Sequence, residues 1–218
     1  MTNTLTSAPV APLLDRLFAE ADESWAALAA MPADERARLM QGRADYIAFY
    51  SQLRDQPLPV SRATGTLLYM LARHAGAHEI VEFGTSFGLS TLHLAAALRD
   101  NGGGRLITCE FEPSKVERAR ENLAAGELTD LVEIRVGDAL QTLREGLPDA
   151  IDLVLLDGAK ALYPQVLDLL EGPLRPGALV VADNADDSPE YLARVRSPAS
   201  GWLSTPFSQD VELSMRLG

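Results

Sequence analysis

Apolar side chains recur at helical spacing over the first fifty or so residues. Leu13, Leu14, Leu17, Phe18, Trp25 and Leu28 follow one another as on the buried stripe of an amphipathic helix. Met31-Pro32 breaks the pattern. A second helix is expected over about 33–54, with Leu39, Tyr46, Tyr50 and Leu53 on one side, until the QPLP run around Pro57 and Pro59 interrupts it. A third, over about 62–75, carries Leu67, Leu68 and Leu71. From Glu79 the texture changes. EIVEF, RLITCE, LVEIRV, IDLVLLD and ALVVAD read as short strands. Between them LSTLHLAAALRD, the stretch opened by Glu112-Pro113, DALQTLREG and the segment 163–170 read as helices. Ser188-Pro189-Glu190 has the form of a helix start, and the tail, about 202–217, reads as two extended segments.

Strand and helix thus alternate at least five times, which predicts an α/β fold with a doubly wound, mostly parallel sheet. IVEF, IDLVLL and ALVVA are almost wholly apolar, as strands covered on both faces must be. The chain is read as an N-terminal helical extension, 1–59, followed by a sheet domain, 60–218. In such sheets ligands bind at the carboxyl ends of the strands, so the candidate chemistry is sought there.

The first strand runs into Glu82-Phe83-Gly84-Thr85-Ser86-Phe87-Gly88-Leu89-Ser90. Its G-x-x-x-G spacing is neither the dinucleotide fingerprint nor a phosphate-binding loop; it serves equally as a structural turn and as a place where a ligand approaches backbone. The second strand ends at Cys109-Glu110-Phe111. Glu110 suits a bidentate hydrogen bond to a ribose diol, or is a solvated acid near a helix start. Asp138, after the third strand, caps the following helix or accepts from an adenine amino group. The fourth and fifth strands end in Asp157-Gly158-Ala159-Lys160 and Asp183-Asn184. Two carboxylates and an amide at one mouth suit a hard cation such as Mg²⁺, and Lys160 close by is a candidate base with a lowered pKa; the same residues also serve as helix caps and a solvated lysine.

Charge and composition narrow the partners. With 19 basic and 31 acidic residues in 218, the net charge of −12 repels phosphate backbones and anionic lipid, so neither nucleic acid nor membrane is expected as a partner. A single cysteine, Cys109, excludes a disulfide framework and a multi-cysteine metal site and points to a reducing, cytoplasmic setting. The start has no basic residue, so no signal peptide is expected. Lysine is scarce: Lys115 and Lys160 stand alone among 19 basic side chains, so each calls for a reason.

Taken together, VEFGTSFGLS, the glutamate in TCEFEP, VGDAL, LLDGAK and VVADN make the chain similar to class I S-adenosylmethionine-dependent methyltransferases. Within them it most resembles the small cation-dependent O-methyltransferases of the catechol and caffeoyl-CoA group. The resemblance implies a Rossmann-like seven-stranded sheet. It implies that Glu82 and Gly84 line the methionine part of the cofactor and Ser90 its carboxylate, that Glu110, with Phe111 beside it, holds the ribose, and that Asp138 and Ala139 lie near adenine. It also implies that Asp157, Asp183 and Asn184 hold a divalent cation, with Asp157 also bordering the cofactor, and that Lys160 deprotonates the acceptor hydroxyl. The expected substrate is a small aromatic vicinal diol and the expected assembly a homodimer, with the helical extension as lid or dimer face. Gly158-Ala159 depart from the polar or aromatic residues frequent there, so a different or smaller substrate wall is expected. His74, His78 and His93 are read as packing or surface groups, Trp25 and Tyr46 as core or dimer contacts, and Asp210 and Glu212 as solvated strand positions. The other readings are a metal-independent methyltransferase, an NAD-dependent oxidoreductase, against which the glycine spacing speaks, and a non-catalytic binding protein on the same fold.

Overall fold

The computed structural model describes residues 3–29 (backbone alone for 25–29), 32, 50–51, 53–208 and 210–218. The expected second helix therefore lies almost wholly outside the described residues, as do the Met31 break and the side chains of Trp25 and Tyr46.

The described helices are α1 (Val10–Ala29), α2 (Arg62–His74), α3 (Leu89–Asp100), α4 (Pro113–Ala125), α5 (Ala139–Thr142), α6 (Tyr163–Leu170) and α7 (Pro189–Val195). They alternate with β1 (Glu79–Phe83), β2 (Arg105–Glu110), β3 (Val132–Val136), β4 (Ile151–Leu156) and β5 (Leu174–Ala182), and β6 (Trp202–Pro206) and β7 (Glu212–Arg216) close the chain. One seven-stranded sheet runs in the order β3-β2-β1-β4-β5-β7-β6. The pairs among β1 to β5 are parallel, whereas β7 is antiparallel to β5 and to β6. The two extended tail segments are this terminal hairpin.

Alternating strand residues feed two cores. Ile80, Leu153 and Leu155 pack with α1, α2 and α3; Val81, Phe83, Val154 and Leu156 pack with α6 and α7. A register shift between Ile151 and Leu153 lets Ile151 join the second group although it shares parity with the first. The N-terminal helix contributes Val10, Leu13, Leu14, Leu17 and Phe18 to the first core, so its apolar stripe is covered by the sheet domain.

One expected helix is shorter than its sequence suggests. DALQTLREG yields only Ala139–Thr142. The Arg135 guanidinium from β3 captures the carbonyls of Thr142, Glu145 and Gly146 at 2.7, 2.8 and 2.7 Å; these acceptors are lost to a continuing helix. No helix among the described residues is long and apolar enough to cross a membrane.

The strand order reverses direction between β1 and β4, the place where a crevice opens in doubly wound sheets. Main-chain bonds carry the ladder past the strands here: Asp157 N donates to Phe83 O at 2.8 Å and Asp183 N to Leu156 O at 2.9 Å. The strand-end residues are thus fixed by the sheet rather than hung on free loops.

Candidate functional site

A cleft of about 300 Å³ lies at the carboxyl ends of β1, β2, β3 and β4. Gly84 makes it possible. Its φ of +106° is a glycine conformation, and a Cβ there would sit 2.6 Å from the Asp157 carbonyl oxygen; only hydrogen fits where the two loops meet. Gly158 is constrained as tightly, because a Cβ would lie 2.5 Å from the Phe83 ring. The glycine at 158 therefore has a physical cause: Phe83 occupies the space a side chain would need.

Glu110 forms one wall and is 7 % exposed. Its Oε2 accepts from Ser86 N at 2.8 Å, and its Oε1 from Phe111 N and Glu112 N, each at 3.0 Å. Three backbone donors hold the carboxylate against the β1–α3 turn, where Ser86 adopts φ +46°. Phe111, Asp138 and Ala139 border the same cleft. Asp138 also accepts from Leu140 N at 2.9 Å, capping α5.

Glu82 and Ser90 lie elsewhere. Neither borders the cleft. Glu82 is wholly buried beneath the turn, where Ser90 Oγ and Thr91 Oγ1 donate to its two carboxyl oxygens at 2.6 Å each. The pair braces the start of α3. Burial pushes the Glu82 carboxyl up to about 7. The native carboxyl then keeps its proton at pH values where the unfolded one, near 4.5, has lost it. Stability should accordingly fall as pH rises through that window, by up to about 3 kcal/mol. Urea unfolding at pH 5 and pH 8 should show a smaller difference for Glu82→Gln than for the natural protein; equal differences would mean that Glu82 does not titrate in the fold.

Lys160 and Asp157 meet at 2.8 Å, with side chains 4 % and 9 % exposed; Asp157 borders the cleft and Lys160 does not. Burial opposes the ammonium charge, but Asp157 overrides it and holds Nζ protonated, well above the usual lysine range. This corrects the expectation of a lowered lysine pKa: a buried carboxylate in contact favours the charged form. Lys160 Nζ also lies 5.6 Å from the centre of the Tyr163 ring. The Tyr163 hydroxyl reaches the carbonyls of Leu156 and Asp183 at 2.8 and 2.7 Å, pinning the ends of β4 and β5 together.

Asp183 is buried and Asn184 takes φ +48°. Burial, then the neighbouring carboxylates Asp157 and Asp210, push Asp183 up to about 7. Asp210, read from sequence as a solvated strand position, stands in the β6–β7 turn and accepts from Asn184 Nδ2 at 3.3 Å. Glu212 is buried against Arg196 and Ser204 and takes no part. No three His, Cys, Asp or Glu side chains among the described residues are arranged to hold a metal ion. Of the three expected ligands Asp157 borders the cleft and Asp183 and Asn184 do not; all three carry oxygen donors of the kind hard cations take, and the carboxylate crowding at Asp183 is a charge pattern that a cation relieves.

Sequence reasoning missed Ser86, Tyr50 and Lys115 as cleft residues. The scarcity of lysine was the available signal for Lys115. His93 is buried, with Nδ1 2.8 Å from Leu89 O and its ring edge-on to Phe18, a packing residue as expected.

With this geometry the relatives can be weighed. A methyltransferase domain model matches residues 81–185. The O-methyltransferase TomG from Streptomyces achromogenes, involved in tomaymycin synthesis and solved in complex with SAM, is 32 % identical; the match covers 75 % of this chain and 84 % of TomG, with a TM-score of 0.63. The chain belongs to the class I S-adenosylmethionine-dependent O-methyltransferase family. A catechol O-methyltransferase from Niastella koreensis is 36 % identical over 130 residues, 58 % of each chain. The chain spans less than two thirds of the length of the curated relatives it matches first. An O-methyltransferase from Bacillus cereus, 24 % identical with a TM-score of 0.65 over 87 % of this chain and 93 % of that one, shares the fold.

Proposed function

We propose that the protein transfers a methyl group from S-adenosylmethionine to a hydroxyl of a small, catechol-like aromatic diol, with a divalent cation at Asp157, Asp183 and Asn184. The observation that carries this reading is the juxtaposition, in one cleft, of the Glu110 wall with Asp157, whose buried counter-ion is Lys160. The names of the relatives, catechol O-methyltransferases among them, support the acceptor class.

The residues divide the work. Glu110 accepts from the ribose hydroxyls, and Gly84 and Gly158 let the two strand-end loops and Phe83 pack closely beside it. Methyl transfer is an in-line displacement, so the acceptor oxygen must be held about 3–3.5 Å from the methyl carbon. Lys160, kept charged by Asp157, places a positive charge beside the oxygen that loses its proton. For Nζ itself to take that proton, Asp157 must first be drawn away from it. A divalent cation, when bound, supplies a template for two vicinal oxygens and lowers the hydroxyl pKa.

Methyl transfer to catechol should proceed with Mg²⁺ and drop at least tenfold with excess chelator, returning when Mg²⁺ is restored. Full turnover in chelator would favour a metal-independent O-methyltransferase, a reading for which one observation speaks: Asp157 already has Lys160 as its counter-ion.

A further inference from the structure

The second lysine of the chain has no use in the scheme above. Lys115 is the third residue of α4, in the first turn, where the helix dipole disfavours a cation. It is only 3 % exposed, yet it borders the cleft beside Glu110 and Asp138. Among the described residues its Nζ makes no hydrogen bond or ion pair. Glu110, Glu112 and Asp157 act on it only at a distance, while burial works against its charge. A buried, unpaired cation at a helix N-terminus breaks three local rules at once, and such departures concentrate at functional sites.

The chemistry of the neighbouring wall supplies a reason. The Glu110 carboxylate is an acceptor only, and Lys115 is a donor only, with three N–H bonds. They share one edge of the cleft without touching. The space between them suits a group that both donates and accepts, and a vicinal diol does both at each hydroxyl. We propose that Lys115 is a cofactor-binding residue: its Nζ donates to the ribose hydroxyl oxygens of the S-adenosyl ligand while Glu110 accepts the hydroxyl protons. This rests on the reading of the cleft as an S-adenosyl site. It makes the site selective for ribose over deoxyribose, and it gives Lys115 on ligand binding the partner it otherwise lacks.

Calorimetric titration with S-adenosylhomocysteine and its 2′-deoxy and 3′-deoxy analogues tests the proposal. The natural protein should bind the ribose ligand about tenfold or more tighter than at least one deoxy analogue, as expected for a hydrogen bond to a charged group. Lys115→Met should weaken the ribose ligand by a similar factor and leave that analogue nearly unchanged, so that the gap closes. Lys115→Gln, which keeps a donor, should restore part of it. The free Lys115→Met protein should unfold at the same temperature or higher, because a buried unpaired charge has been removed. Equal weakening of all three ligands, with the gap intact, would make Lys115 a structural residue and overturn the proposal. Failure of the natural protein to bind S-adenosylhomocysteine at all would instead overturn the cofactor reading on which it stands.

Discussion

Replacing Glu110 by Ala is expected to weaken binding of S-adenosylhomocysteine by at least about 100-fold, some 2.7 kcal/mol. Two losses combine. The ribose hydroxyls lose a charged acceptor, worth about 1.5–3 kcal/mol for a single such hydrogen bond. The backbone N–H groups of Ser86, Phe111 and Glu112 lose the oxygen that positions them, so the β1–α3 turn and the entry to α4 both loosen. Glu110→Gln separates the two effects, because the amide retains one carbonyl acceptor for the backbone but not a charge. An intermediate loss for Gln assigns the remainder to the turn. Unchanged affinity in both variants, by calorimetry, would mean that the cofactor does not use the β2 end.

Lys160→Met is expected to abolish methyl transfer, by about 100-fold or more, while leaving affinity for S-adenosylhomocysteine within about threefold; a missing preorganised charge typically costs this much in turnover. Cofactor affinity is expected to survive because Lys160 does not border the cleft that Glu110 walls. The substitution also leaves the Asp157 carboxylate buried at 9 % exposure without its partner. Removing one member of a buried pair costs up to about 3–5 kcal/mol, so the variant should unfold at a clearly lower temperature above neutral pH. Single-turnover assays with bound cofactor separate the two consequences. Retained turnover would show that Lys160 is only the counter-ion of Asp157, and equal loss of cofactor affinity would show that it serves cofactor binding instead.

Much of this arrangement is readable in the linear sequence. Nearly continuous apolar runs such as IDLVLL and ALVVA force strands covered on both faces, and their alternation with helices leaves few topologies. Polar residues directly after such runs, Glu110, Asp138, Asp157 and Asp183, then gather at one edge of the sheet. What sequence could not convey was direction within that edge. Glu82 and Ser90 flank the glycine turn yet face inward, because strand alternation and the first turn of α3 aim them at each other. Whether Lys160 stood free or paired depended on a contact three residues back, across the loop that leads from β4 into a 3₁₀ turn, where Nζ meets Asp157. Asp210 reached Asn184 only because the β6–β7 hairpin runs antiparallel beside β5, a long-range pairing with no local signature. The short α5 likewise depended on Arg135 reaching across from β3.

The most direct measurement is calorimetric titration of S-adenosylhomocysteine into the natural protein, with NADH titrated in parallel. The geometry of Gly84, Glu110 and Asp138 predicts saturable binding of S-adenosylhomocysteine at one site per chain, competed by S-adenosylmethionine, and no binding of NADH. Binding of NADH in the same cleft without binding of S-adenosylhomocysteine would contradict the assignment of the cleft, and with it the roles given to Glu110, Lys115 and Lys160.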